Sequence, residues 1–412
     1  VKHRAVITGM GVVTPLGNLL DEFWNNLMAG KSGIGLLTRF DVAGLPTKVA
    51  AEIKDFEPTD YIDKKESRRM DRFTQFAMAA AKLALQDSGL NMENVDKERV
   101  GTVIGCGIGG VTSFEDQKEV LMNKGSNRIS PFFVPMLISN MAAGHLSIAF
   151  GFQGSSITVV TACASATNAI GEALRIIQRG EADIVICGGT EAPITHLAFA
   201  GFCSMKAMST EKEHPEQACR PFDKRRSGFV MGEGAGVLVL ESLEHAEARG
   251  ARIYAELAGY GSTSDAHHIT TPAPGGAGAV RSMRLALNDA EVNVEEVDYI
   301  NAHGTGTGPN DATETEAIKT LFGSHAAKLA ISSTKSMTGH LMGAAGAIEA
   351  IICALTIDRG SIPPTTNYGE PDPECDLDYV PNYSRKQAVN VAMSNSLGFG
   401  GHNATIVLKK FA

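Results

Sequence analysis

Apolar positions along this chain follow two periods. Short runs rich in Val, Ile and small residues read as buried strands ending in glycine, among them AVITGMGVVT at 5–14, VGTVIGCGIGG at 100–110 and ADIVICGGTEA at 182–192. Between them lie stretches with helical spacing, such as SATNAIGEALRIIQRG at 165–180 and LESLEHAEARG at 240–250. Gly250 suits the end of the second of these helices. The alternation predicts an α/β fold with mostly parallel strands covered by helices.

The pattern also repeats itself. AVITGMGVVT is echoed by AELAGYGSTS at 255–264, and VGTVIGCGIGG by VDYINAHGTGTG at 297–308. TACASATNAIGEALRIIQRG at 161–180 is echoed by TKSMTGHLMGAAGAIEAIICALTIDRG at 334–360, and ADIVICGGTEA by VNVAMSNSLGFGG at 389–401. The order is the same in both sets, which predicts a duplicated α/β unit with halves 1–250 and 251–412. Segments near 110–150 and 191–235 are expected insertions in the first half. The Ala, Gly and Ser content of the two central helices predicts close packing between them.

Composition narrows the functional classes. A chain of 412 residues with net charge −9 is too long for one ordinary core and too acidic for general nucleic-acid binding. No apolar run reaches membrane-spanning length. The start, VKHRAVITGMG, runs quickly into a strand pattern, so no signal peptide is expected. Seven cysteines are scattered without a C-x-x-C pair, which favours free thiols in a cytoplasmic setting and disfavours a zinc site. Adjacent His267 and His268 point to opposite faces of a strand, and the glycine turns lack a phosphate-loop lysine.

Cys163 falls where a strand turns into a small-residue helix. It is either buried filler or a nucleophile whose thiol pKa is lowered by the helix N-terminus. His303, Lys335 and His340 also follow predicted strands, and in such sheets strand carboxyl ends converge on one crevice. Gly398, Gly400 and Gly401 let backbone N–H groups point into a cavity, as donors to an oxyanion or as a simple hairpin turn. Lys64, Lys65, Arg68, Arg69 and Arg72 recur at helical spacing and predict one basic helix face, which Lys124, Arg128 and Lys206 extend.

At these residues the sequence resembles the beta-ketoacyl-acyl-carrier-protein synthases, condensing enzymes of the thiolase fold, and is nearest to the elongating type. The resemblance runs through VITGMGVVTPLGN, ISPFFVPMLISNMAAGHLS, TACAS, GGTEAPIT, SGFVMGEGAG, NAHGTGT, SSTKSMTGHLMGAAGAIE and NSLGFGGHN, nearly the whole chain. It implies thiolase-like duplicated halves in a layered α-β-α-β-α architecture. It implies decarboxylative condensation of malonyl-acyl carrier protein with an acyl chain held on Cys163. His303 and His340 would bind the malonyl thioester, and Lys335 would orient them. The N–H groups of Cys163 and Phe399 would form the oxyanion hole, and Phe399 would also be the gate. Thr305 and Thr307 would hold the phosphopantetheine arm, while Ile108, Phe202 and Phe133 would line the acyl pocket. Glu349 matches a buried acid of undefined role.

The resemblance further implies an acyl carrier protein docking on the basic patch, a homodimer, and no cofactor beyond the arm that arrives with substrate. Two features depart from the usual pattern. The loop after His303 reads Gly-Thr-Gly-Thr-Gly-Pro, which keeps both threonines and predicts extra flexibility, and Cys163 sits in Ala-Cys-Ala-Ser. A degradative thiolase would need a second cysteine in LGFGGHN, and an initiating synthase an Asn in place of His340. A polyketide ketosynthase shares the same residues. A non-catalytic acyl-binding subunit would lack Cys163.

Overall fold

The computed structural model describes residues 2–411. Ten strands form one mixed sheet: β1 (Ala5–Val13), β2 (Val100–Gly105), β3 (Ser156–Val159), β4 (Ile184–Glu191), β5 (Gly234–Ser242), β6 (Ala255–Ser264), β7 (Tyr299–Asn301), β8 (Ala330–Ser332), β9 (Val391–Gly398) and β10 (His402–Lys409). Their order, β3-β2-β4-β5-β1 followed by β6-β10-β9-β7-β8, is the same five-strand pattern written twice, outward from the middle. In each set the outer three strands run parallel and the inner pairs antiparallel. The halves join where Ala5, Val6 and Ile7 of β1 pair with Leu257, Glu256 and Ala255 of β6.

Helices α1 (Arg72–Ser88), α2 (Val111–Lys124), α3 (Met141–Phe150), α4 (Ser165–Gln178), α5 (Ala277–Ala290), α6 (Gly308–Phe322) and α7 (Ala345–Arg359) complete the layers. One apolar core packs α1 and α3 on the outside of the first strand set, and another packs α5 and α6 on the outside of the second. The third core holds α4 and α7 between the two sets. These layers give the α-β-α-β-α arrangement. Because it lies between the two strand sets, α7 is buried around its whole circumference from Ala345 to Ile357.

The repeated sequence motifs fall at matching places. The Gly-x-Gly of β1 lets α1 lie close: a β-carbon at Gly9 would sit 2.4 Å from the Ala84 carbonyl oxygen, and one at Gly11 2.1 Å from that of Ala80. Gly259 and Gly261 of β6 do the same against α5, at 2.2 and 2.1 Å. Small residues also bring α4 and α7 together, with Gly346 against Thr167. The first half carries its extra chain where the pattern placed it. Helices occupy 111–150, and the 192–233 connection replaces the short 399–401 turn of the second half.

Candidate active site

Strand β3 delivers the chain to a 3-10 turn, Ala162–Ala164, that leads into α4. Ala162 has a left-handed φ of 51°. Its counterpart before α7 is the turn Met342–Ala344, where Met342 has a φ of 49°. The same strained corner is therefore built twice, but only the first carries a thiol. Six of the seven cysteines are buried, and Cys163 alone reaches the wall of a cavity of about 420 Å³. Gly398 permits β9 to end against this corner, since a β-carbon there would sit 2.7 Å from the Thr161 carbonyl oxygen. The main-chain N–H of Phe399 then points at the Cys163 sulfur.

The second half supplies two imidazoles. His303 follows β7 and His340 follows β8; both are buried and both line the cavity. His340 Nε2 is 3.1 Å from Cys163 Sγ. The two rings stand 5.4 Å apart, nearly perpendicular at 86°. The His303 and Gly304 N–H groups each donate to Glu314, at 2.8 Å. Lys335 donates to the His303 carbonyl at 2.6 Å and to the Glu349 carboxylate. It acts on the main chain of His303 and touches neither ring in this geometry.

Burial is the dominant electrostatic influence. It pushes both imidazoles well below their usual value, and the nearby Lys335 charge pushes the same way. Both rings are neutral at physiological pH and can donate an N–H. Burial raises Glu314 to about 7, opposed by the Gly304 and His303 N–H groups, and raises Glu349 against the pull of Lys335. The Cys163 thiol differs from the sequence expectation. It does precede a helix N-terminus, but burial outweighs Lys335 and the Phe399 N–H and pushes it up to about 12. The resting group is a thiol, with His340 placed to take its proton.

Thr305 and Thr307 line the cavity, their hydroxyls 3.0 Å apart. Their loop is better anchored than its glycines suggested. Gly306 N donates to Asp311, and its carbonyl accepts from Gly228 N at 3.0 Å. Phe399 and Phe202 also line the cavity, Phe202 edge-on to Phe229 at 5.7 Å. Ile108 and Phe133 do not. Ile108 is 41% exposed, and Phe132, Val134, Ile138, Ile157 and Val160 are exposed apolar residues as well.

The basic patch needs a second correction. Lys64 and Lys65 lie on a short helix, Lys64–Ser67, and the chain breaks before α1 starts at Arg72. Asp71 caps α1, so the five cations do not share one helix face. Lys64, Lys65, Arg68, Lys124 and Arg128 are exposed, and Lys206 is exposed at the cavity rim. Arg69 pairs with Glu66 at 3.0 Å and stacks over Phe132. Arg72 turns inward to the buried Glu233 at 3.2 Å and to the Ile53 carbonyl. Helical spacing could not reveal that Asp71 interrupts the face. Glu314 and Glu233 were also missed, because a lone acid on a helix or in a glycine turn carries no signal until its partners are seen.

Comparison with known proteins gives a consistent result. The family model described as beta-ketoacyl synthase, N-terminal domain, matches residues 2–246, and the corresponding C-terminal domain matches 254–369. The chain is 52% identical over all of its length and 99% of its relative to a curated 3-oxoacyl-[acyl-carrier-protein] synthase 2 of Synechocystis sp.. It is 55% identical to the protein of the same name from Staphylococcus aureus strain N315, over 99% of this chain and 98% of that one. A solved type II PKS acyl-carrier protein in complex with its ketosynthase bound to the hexaketide is similar at TM-score 0.93 and 36% identity, each chain covered fully.

Proposed function

This chain belongs to the beta-ketoacyl synthase family, and from that premise we propose that it extends acyl chains by two carbons in fatty acid synthesis, as a 3-oxoacyl-acyl-carrier-protein synthase of the elongating type. The observation that carries this reading is the thiol 3.1 Å from one of two neutral imidazoles, at the wall of a cavity that Thr305 and Thr307 also line. Residues 1–250 supply the thiol and 251–412 both histidines. Polyketide ketosynthases have the same architecture, but the 52–55% identity to synthase 2 proteins favours fatty acid elongation.

In the first half-reaction Cys163 attacks the acyl thioester. Its proton passes to His340 Nε2 and then to the leaving pantetheine thiolate, after which the neutral ring returns to the tautomer that carries its proton on Nε2. The N–H groups of Cys163 and Phe399 hold the oxyanion. In the second, malonyl-carrier protein binds with its thioester oxygen between His303 and His340. The carboxylate leaves as carbon dioxide, and its bonding electrons move into an enolate that the two N–H donors stabilise. This charge is absent from the ground state, so the donors lower the barrier rather than merely binding substrate. The enolate carbon attacks the acyl group and expels the Cys163 thiolate, which takes a proton from water. Lys335 keeps the imidazoles neutral by its charge and fixes His303 by its carbonyl. Phe399, beside Gly400 and Gly401, is the gate between the two steps.

The pantetheine arm enters past Thr305 and Thr307, and we propose no separate cofactor. Lys64, Lys65, Arg68, Arg128 and Lys206 offer an acidic carrier protein its docking charges, while Arg69 contributes less because Glu66 offsets it. The exposed apolar residues Ile108, Ile157 and Val160 support a homodimer. Ile157 lies on β3, an unpaired sheet edge, and exposed apolar residues on such an edge favour association. Ile108 and Phe133 would complete the acyl wall across that interface, with Phe202 inside. The free cysteines support a reducing, cytoplasmic setting. Among the described residues no helix is long and apolar enough to cross a membrane. The reading is tested by supplying malonyl-carrier protein with acyl-carrier proteins of graded length. A 3-oxoacyl product two carbons longer is expected; no ketoacyl product at any length would overturn it.

A further inference from the structure

Glycine-rich MGEGAG contains a carboxylate, Glu233, that is fully buried, lies outside the cavity lining and has no part in the chemistry above. Arg39 grips it through both terminal guanidinium nitrogens, one at 2.6 Å, and Arg72 adds a bond at 3.2 Å. Its Oε1 also accepts the Ile53 N–H at 3.0 Å. Burial opposes ionisation, yet the two guanidiniums hold Glu233 below the usual carboxylate range. A buried charge cluster of this kind is a costly feature that a simple turn does not need.

What it fixes is the segment beside it. Val230 accepts the His340 N–H at 2.7 Å, and Gly232 N donates to the His340 carbonyl at 2.9 Å. On its other side the same segment pairs with the chain at 51: Ala51 N donates to Met231 and Glu233 N to Ala51. Three extended stretches thus lie side by side, with Glu233 and its arginines at one end. A β-carbon at Gly232 would lie 3.0 Å from the Thr338 carbonyl oxygen, so the contact is close.

The imidazole of His340 has little else to orient it. Its Nδ1 is buried with no hydrogen-bond partner among the described residues, and its Nε2 faces Cys163. Functional histidines commonly have their second nitrogen held by a carbonyl or carboxylate. Here the main chain on both sides and the edge-on ring of Phe229, 5.6 Å away, do that work.

We infer that Glu233, gripped by Arg39 and Arg72, is a positioning residue for His340, setting its imidazole within reach of Cys163 and of the malonyl thioester. The inference rests on the role given to His340 above. It also explains why Arg72 is withdrawn from the docking patch.

The test uses full-length protein carrying Cys163→Gln, in which malonyl-carrier decarboxylation is measured without acylation. Adding Glu233→Gln keeps shape and removes charge. His340 acts only as charge develops, so its displacement lowers kcat about tenfold or more while KM stays within about threefold. Glu241→Gln is the control. Glu241 is an equally buried carboxylate held by Arg249, His245 and Thr8, away from the 338–341 segment. It should leave kcat within about twofold. Parallel losses in both variants, or no loss with Glu233→Gln, would overturn the inference. Should Glu233→Gln fail to fold, Arg39→Lys in the same background must lower kcat about threefold or more at constant KM; unchanged kcat there overturns it equally. His340→Ala is run beside them. If decarboxylation survives that change, the role of His340 itself falls, whatever Glu233→Gln does.

Discussion

Replacing Lys335 by Met removes one charge from the buried part of the site while keeping most of the side-chain volume. Lys335 is 1% exposed and makes two contacts, to the Glu349 carboxylate and to the His303 carbonyl at 2.6 Å. Breaking a buried pair costs about 3–5 kcal/mol when the partner stays charged. Glu349 need not, since burial already raises its pKa and the variant removes the opposing cation. Neutral Glu349 places the loss at the lower end, about 3 kcal/mol, most of it from the orphaned His303 carbonyl and lost packing. The functional effect has a definite sign. Decarboxylation needs neutral imidazoles, so it is present above their native-state pKa and lost as pH falls through it. Burial and then Lys335 keep that value well below 6.5 in both histidines. Without Lys335 it rises, and activity is lost at higher pH. The assay is the pH profile of malonyl decarboxylation with Cys163→Gln as background, alongside urea denaturation at pH 7.5. The acid limb should move to higher pH. An acid limb that stays in place, with folding intact, would refute the electrostatic role given to Lys335.

Three further outcomes follow from the geometry. Lys65→Glu with Arg68→Glu should raise KM for malonyl- and acyl-carrier protein about tenfold at low salt and spare Cys163 acylation by a small thioester; an unchanged KM would remove the docking assignment. Thr305→Ala with Thr307→Ala should raise KM for carrier-bound substrates about tenfold while stability changes little, as steady-state kinetics and thermal melts would report. Under the proposed homodimer, Ile157→Asp places a charge on the exposed edge strand β3, and light scattering should show a dimer for the parent and a monomer for the variant; a monomeric parent would refute the assignment.

The sequence made the duplication readable because a strand that must touch a helix backbone has to carry glycine. Gly9 with Gly11 and Gly259 with Gly261 mark the same approach twice. Cys163, His303 and His340 were legible for a related reason: each follows a strand, and the topology brings those strand ends together. What could not be read were quantities set by depth. Nothing local in TACAS says that burial outweighs the helix end and leaves a neutral thiol. Nor does i, i+4 spacing say that Asp71 restarts the helix and that Arg72 turns inward to Glu233. Ile108 and Phe133 were assigned to a pocket wall, yet in one chain they lie off the cavity. Exposed apolar residues are patterned like those of a core, so the local sequence does not say which surface they line.

The central claim is that the acyl chain rides on one sulfur and leaves it through carbon–carbon bond formation. Mass spectrometry of the protein after incubation with an acyl thioester tests it most directly, followed by addition of malonyl-carrier protein. One acyl group per chain on the peptide containing Cys163, discharged as a 3-oxoacyl product when malonyl-carrier protein arrives, is the predicted result. Label on another residue, or ketoacyl product still forming from Cys163→Ala, would contradict it.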